Sequence, residues 1–267
     1  MPIKILFEDK NVLVIDKPSG ISVHSDSKNR EEKTVASFIL ENYPALKNVG
    51  EPMEVLIASG QKMKIPRPGI VHRLDRETSG ALVIAKNQKT YLSLKEQFQN
   101  HTIKKMYRAF VYGFVPDPKA SLGTGKRGIV DVPIGRSPKD IRMWTAGRGA
   151  REPLRDAVTQ YNVLNRFTDN GEEKTTVDHQ FSYIEAYPKT GRTHQIRVHM
   201  RYINHPVVSD PLYRGAKEYA LGMKRLALHA YSLTFRLPSG ELKTVESPLP
   251  ADFKKALKIY KIQDSKK

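Results

Sequence analysis

The chain has 267 residues, 39% of them hydrophobic and none cysteine, and its 45 Lys and Arg outweigh 28 Asp and Glu for a net charge of +17. That length and apolar content support one large domain, or two small ones, and exclude a disordered chain. Disulfides and thiolate metal sites are excluded, no apolar run approaches membrane-spanning length, and the basic excess points to an anionic partner, nucleic acid first. Met1–Lys10 has no signal-peptide core, so the cytoplasm is the expected compartment. No long basic amphipathic helix is visible, which disfavours a membrane surface as the anionic partner.

Two apolar runs, Ile3–Phe7 and Val12–Ile15, flank an acidic and Asn cluster, which predicts a hairpin. Thr34 is placed to cap a short helix to Asn42, with Val35, Phe38 and Ile39 on one face. Residues 43–69 show weak periodicity and predict an irregular excursion. The segment His72-Arg73-Leu74-Asp75-Arg76-Glu77-Thr78-Ser79-Gly80 follows, bracketed by Gly69 and Gly80 and leading into the apolar run Ala81–Ala85. Glycines and prolines predict a loop there and the apolar run a buried strand. Asp75 then sits at a strand mouth between two arginines, a setting that suits a carboxylate working in its charged form. On these residues alone an ordinary loop Asp in a surface ion pair is the preferred reading.

Tyr91, Leu94 and Phe98 predict an amphipathic helix over 87–101, and Ile103–Tyr112 a strand with one basic face ending at Gly113. Residues 116–156 are rich in Pro and Gly and carry Lys119, Lys126, Arg127, Arg136, Lys139, Arg142, Arg148, Arg151 and Arg155. They predict a long basic loop, whose arginines suit phosphates. Trp144, the one tryptophan, suits either a base or an anchor onto the core. Two strands are expected at 157–164 and 180–187, joined by a turn around Asp169-Asn170-Gly171. Thr193 is expected to cap a helix with Ile196, Met200 and Ile203 inward and Arg197 and Arg201 together on another face. A strand over 225–237, a turn at Pro238-Ser239-Gly240 and a basic helix over 252–262 complete the chain, with no repeat and no clean linker, so a single domain over 1–267 is expected. His194 and His199 are five apart rather than the four that stack ligands on a helix, which disfavours a metal site. No Gly-x-Ser-x-Gly elbow and no carboxylate cluster is present, which disfavours a serine hydrolase and a two-metal nuclease.

Three ordered motifs together resemble the RluA-type RNA pseudouridine synthases: His72–Gly80, then Lys105-Met106-Tyr107-Arg108-Ala109-Phe110-Val111-Tyr112-Gly113, then Thr190-Gly191-Arg192-Thr193-His194-Gln195-Ile196-Arg197-Val198-His199. Softer matches at Asp9–His24, His205–Tyr213 and Arg225–Ala230 extend the resemblance from about residue 5 to about residue 250. It implies an α+β fold, with a central, mixed, largely antiparallel sheet crossed by a basic cleft. The implied reaction is isomerisation of uridine to pseudouridine in ribosomal RNA of the large subunit, or else in tRNA. No cofactor or metal is needed, and a monomer is expected.

Asp75 matches the catalytic aspartate, Tyr107 the tyrosine that stacks on the base and assists proton removal from C5, and Arg197 the arginine paired with the aspartate. Leu228 matches the apolar pocket floor and Arg73 an arginine that touches RNA near the flipped nucleotide; His72, Arg76, Arg142 and Arg148 are further expected RNA contacts. Many relatives carry an S4 RNA-binding domain before the catalytic one, whereas this chain begins directly with the latter, so target choice is expected to rest on its own loops and basic ends. Ser209 stands where relatives usually have Gly before Asp-Pro, which puts a local turn in question.

Overall fold

The computed structural model describes residues 3–24, 33–56, 62–116, 127–169 and 179–262. They fall into two compact units, 1–104 with 230–248 and 105–229 with 249–267. The first unit opens with the expected hairpin, β1 (Lys4–Glu8) antiparallel to β2 (Val12–Lys17). Its turn is closed by the Asp9 carboxylate, which accepts from the main-chain N–H groups of Asn11 and Val12 at 2.7 Å each. Helix α1 (Val35–Asn42) starts at Thr34, whose hydroxyl accepts from Ser37 N–H while Ser37 reaches back to the Thr34 N–H, a reciprocal cap.

Residues 43–69 are more ordered than expected. A 3-10 turn (Pro44–Asn48) precedes a short hairpin of β3 (Met53–Leu56) and β4 (Lys62–Ile65). Four-residue strands are too short for alternation to stand out in sequence. The buried strand β5 (Ser79–Ala85) pairs antiparallel with β2, and α2 (Gln88–Gln99), capped by the Asn87 side chain, lays Tyr91 and Leu94 into the core.

The second unit begins with β6 (Lys104–Tyr112). Its expected basic face is corrected at Arg108, which is buried and pairs with Glu185 at 3.0 Å. Lys104, at the start of the strand, is exposed, whereas Arg108 stands directly across from Glu185 of the neighbouring strand in the same sheet. After β7 (Gly128–Asp131), the expected loop is instead built of strands: β8 (Ile134–Arg136), β9 (Trp144–Ala146) and β10 (Arg151–Arg155) form a three-stranded sheet in the order β10-β8-β9. Strands of three to five residues, broken by Pro and Gly, leave no periodic signal; Lys119 and Lys126 lie outside the described residues.

Strands β11 (Val158–Asp169) and β12 (His179–Pro188) follow as expected and pair antiparallel; β12 also pairs β6 and β11 pairs β7. Of the turn expected between them, Asn170 and Gly171 lie outside the described residues. Helix α3 (Gln195–Tyr202) starts one residue later than expected, with His194 rather than Thr193 at its N-cap, in a left-handed conformation (φ 56°). Arg197 and Arg201 do not share a fate: Arg197 is buried, while Arg201, one turn nearer the exposed end, faces solvent.

Strand β13 (Leu228–Arg236) leaves the second unit and returns to the first, where β14 (Leu242–Glu246), absent from the sequence reading, pairs with it. Helix α4 (Ala251–Ile259) packs in the second unit through Phe253, 5.3 Å from Phe110, which also stacks on Tyr183 at 4.7 Å. Among the described residues no helix is long and apolar enough to cross a membrane.

Candidate active site

In the first unit, Asp75 lies on a turn closed by the Thr78 N–H donating to the Asp75 carbonyl at 3.1 Å. That turn is strapped down by the stretch after β2. Gly20 N–H donates to the Arg76 carbonyl at 2.9 Å, the Arg76 Nε returns a bond to the Gly20 carbonyl at 3.0 Å, and Ser19 Oγ donates to the Glu77 carbonyl at 2.7 Å. Beneath it, the buried Lys17 ammonium donates to the carbonyls of Pro18, Ile21 and Arg76 at 2.8–3.0 Å. Charge-assisted bonds of this kind hold a loop in one geometry.

Both bracketing glycines are required by close approach. A Cβ on Gly69 would lie 2.1 Å from the Ala85 oxygen, and one on Gly80 (φ 119°) would lie 2.2 Å from the Ala230 oxygen. His72 is woven into the same support: its Nε2 accepts from the Val83 N–H at 3.0 Å and its ring stacks on Phe98 at 4.5 Å. Arg73 and Arg76 are exposed. Arg73 also acts on the half-buried His24, whose pKa is pushed down to about 4 by burial first and by the fields of Arg73 and Arg67 second.

In the second unit, Tyr107 is half-buried on β6, opposite Ala186 of β12. Strand alternation puts Lys105 on its face and the buried Arg108 on the other. Lys105 Nζ donates to the Thr190 carbonyl at 2.9 Å, and burial lowers its pKa to about 8. Thr190 opens the segment that leads into α3. Gln195 organises that entry: its Oε1 accepts from Thr190 Oγ1 and Arg192 N–H, and its Nε2 donates to the Val158 carbonyl and Thr159 Oγ1.

Arg197 projects from α3 into a buried, two-bonded pair with Asp210, Nε to Oδ2 at 2.7 Å and Nη2 to Oδ1 at 2.8 Å. Asp210 also accepts from the N–H groups of Leu212 and Tyr213, so its orientation is fixed from its own side. The backbone knits these parts together. Val208 N–H donates to the Phe110 carbonyl, Phe110 N–H to the Ala227 carbonyl, and Ala227 N–H to the Val208 carbonyl. The strand of Tyr107, the segment leading to Asp210 and the buried Leu228 are thus anchored to one another. Ser209 takes φ 56°, a conformation that favours glycine, and its Oγ donates to the Met223 carbonyl at 2.8 Å.

The three-stranded arm presents Arg142 and Arg148 to solvent. Arg142 is held by Asp140 through Nε and Nη2, and the pairing lowers the pKa of Asp140 to about 2. Trp144 is half-buried, with the Arg136 guanidinium 4.7 Å from its ring centroid and its backbone N–H donating to the Tyr213 hydroxyl at 2.9 Å.

The profile of the family described as RNA pseudouridylate synthase matches residues 11–202. The chain belongs to that family of isomerases. The uncharacterized RNA pseudouridine synthase YlyB of Bacillus subtilis is 36% identical over 253 residues, covering 94% of this chain and 71% of its own. Ribosomal large subunit pseudouridine synthase D of Neisseria meningitidis serogroup B is 35% identical over 274 residues, covering 98% of this chain and 62% of its own. The chain thus spans roughly two thirds of the length of these curated relatives. Among solved structures, human RNA pseudouridylate synthase domain containing 4 superposes with a TM-score of 0.67 at 25% identity, over 97% of this chain and 94% of that one. The fold is therefore the α+β one expected from the motifs.

Asp75, Tyr107 and Arg197 all fall within the span that the family profile covers, whereas Leu228 falls beyond it. Three residues with the buried bonds just described carry no mark in the sequence: Asp210 and Tyr213 stand only within the softer match His205–Tyr213, and Lys17 merely follows the apolar run Val12–Ile15. An aspartate followed by Pro with no apolar period around it gives no sign of a partner 13 residues upstream.

Proposed function

We propose that the chain isomerises uridine to pseudouridine in structured RNA, with ribosomal RNA of the large subunit as its target. The observation that carries this is the family match over 11–202, which holds Asp75, Tyr107 and Arg197 in motif order. The naming of the Neisseria relative as a large-subunit enzyme favours ribosomal RNA over tRNA. The net charge of +17 fits an RNA partner.

In this reading the target uridine leaves its stack, at a cost of roughly a few kcal/mol. The Tyr107 ring and the apolar Leu228 side chain offset part of that cost by stacking and burial. Asp75 supplies the carboxylate that initiates cleavage of the N-glycosidic bond. The N1–C1′ bond breaks, the uracil turns without leaving, C5 bonds to C1′, and the proton lost from C5 is matched by one taken up at N1, so that atoms balance with no co-reactant. Arg197 supplies the positive charge that sets the electrostatics of the reacting groups. Arg73 and Arg76, exposed on the Asp75 turn, contact the RNA together with Arg142 and Arg148 of the arm, and His72 supports that turn from behind.

The test is tritium release from total RNA labelled with 5-tritiated uridine and taken from cells lacking the gene. Wild-type protein should release tritium and Asp75→Asn should not, while RNA binding by the variant stays within about threefold. Release at the wild-type rate by Asp75→Asn would remove the assignment. Mapping the new pseudouridines in the same RNA decides between ribosomal RNA and tRNA.

A further inference from the structure

We infer that Tyr213 is a positioning residue that couples the basic three-stranded arm to Arg197. The inference rests on the proposed role of Arg197 and adds to it how that guanidinium is held and what else its holder touches. Tyr213 is fully buried in the second unit. Its ring centroid lies 4.9 Å from the Arg197 guanidinium carbon, and its own N–H donates to the Asp210 carboxylate that grips Arg197 from the other side. A ring face and a carboxylate therefore fix the guanidinium from two directions, and both come from one four-residue stretch, Asp210–Tyr213.

The hydroxyl of the same residue looks the other way. It accepts from the backbone N–H of Trp144, the first residue of β9, at 2.9 Å, and it shares a 2.8 Å hydrogen bond with Nδ1 of His194 at the head of α3. A main-chain donor cannot rotate away as a side chain can, so the position of β9 is transmitted to the ring as a whole.

The surrounding packing keeps the joint stiff. Ile134 and Ala146 of the arm, Val198 of α3 and Tyr213 form one buried cluster, with Met143 and Trp144 against it. A second strap runs in parallel: His199 Nε2 donates to the Val132 carbonyl at 3.0 Å, and Nδ1 meets Thr159 Oγ1 at 2.9 Å. The arm carries Arg136, Lys139, Arg142 and Arg148, the cations suited to gripping an RNA backbone. A load taken up by the arm therefore reaches Arg197 through β9, the Tyr213 hydroxyl and the Tyr213 ring, without passing through a flexible linker.

The experiment is single-turnover tritium release from the RNA described above, at rising protein concentration, with thermal unfolding measured alongside. Tyr213→Phe keeps the ring beneath Arg197 but leaves Trp144 N–H and His194 without the hydroxyl. It should lower the saturating rate about tenfold, with the half-saturating protein concentration changed less than twofold. Tyr213→Leu, which removes the ring as well, should cost a further several-fold. Val245→Ala, in the core of the first unit and in none of the contacts just described, should lower the unfolding temperature while keeping the rate within twofold. A wild-type saturating rate in Tyr213→Phe, or an equal loss in Val245→Ala, overturns the coupling. If the wild-type protein itself releases no tritium, it is the isomerase reading that fails. Should Tyr213→Leu fail to fold, the Phe variant and the Val245 control decide the matter between them.

Discussion

The Lys17 ammonium, wholly buried, donates to the main-chain oxygen of Arg76 at 3.0 Å and so ties the end of β2 to the residue after Asp75. Two further carbonyls, of Pro18 and Ile21, take its other protons. Its job is to satisfy the backbone of a loop that must stay in shape without regular secondary structure.

Lys17→Met is therefore expected to be costly, since three carbonyl partners lose a charged donor that no methionine can replace. The Arg76 carbonyl keeps the Gly20 N–H, so the loss falls mainly on the Pro18 and Ile21 carbonyls; at about 1 kcal/mol or more for each, it should be about 2 kcal/mol. Urea unfolding measures it. A loss below about 1 kcal/mol would mean that water or a neighbouring N–H substitutes for the ammonium.

Gly80→Ala should also be damaging, for a different reason. The new methyl would sit 2.2 Å from the Ala230 oxygen, on a backbone at φ 119° that L-residues avoid. Backbone atoms of a packed strand cannot yield cheaply, and a loss of about 3 kcal/mol is expected. Comparing denaturant midpoints of the variant and wild type checks this, and equal midpoints would contradict the close approach.

For the Arg197–Asp210 pair, breaking one side should be worse than removing both. Asp210→Asn leaves a buried guanidinium without its anion, at a cost of about 3–5 kcal/mol, whereas Arg197→Met with Asp210→Leu should recover much of it. A double-mutant cycle by chemical denaturation gives the coupling; additive losses would show that the pair does not act as a unit.

Lys105 makes stability depend on alkaline pH. Burial lowers its pKa in the folded protein to about 8, against 10.5 in the unfolded chain, so between those values the unfolded chain holds more protons. Stability should rise with pH across that window by more in wild type than in Lys105→Met. Denaturant midpoints at pH 7.5, 9 and 10.5 for both proteins test it, and parallel profiles would rule out a buried, titrating amine.

The two arm arginines should not weigh equally in RNA binding. Each phosphate contacted on single-stranded RNA contributes about −0.7 to the slope of log affinity against log salt. Arg142 is already shared with the Asp140 carboxylate, whereas Arg148 is exposed on the stretch between β9 and β10. Arg148→Ala should flatten the slope more than Arg142→Ala, as read from filter binding at several salt concentrations. The opposite order would mean that RNA displaces Asp140 from Arg142.

Local chemistry told most of the fold in advance. Thr34 caps α1, two apolar runs about an acidic turn give the β1–β2 hairpin, and an unbroken apolar run gives β5, because each depends on residues a few positions apart. The Asp75 segment was legible for the same reason, with Gly69 and Gly80 marking where backbones approach. What sequence hid were pairings across long separations. The burial of Arg108 against Glu185 and of Lys17 beneath Arg76 depends on which strands become neighbours, and nothing near either cation says so. The arm escaped because three-residue strands carry too little pattern to be seen. Asp210 escaped because a carboxylate in a loop looks solvated until its partner is known.

The return of β13 to the first unit has a consequence for how the protein is made. Strand β5 takes β13 as a neighbour, and β13 lies after the whole 105–229 segment in the chain. On the ribosome, the exposed edge of β5 must wait for some 145 later residues to emerge before its partner arrives. Until then, a strand that is apolar from Ala81 to Ala85 stands with unpaired main-chain groups, a surface that invites wrong partners. Nascent chains stalled before residue 230 should accordingly be the aggregation-prone species, and holding them soluble a task for chaperones rather than for the finished fold.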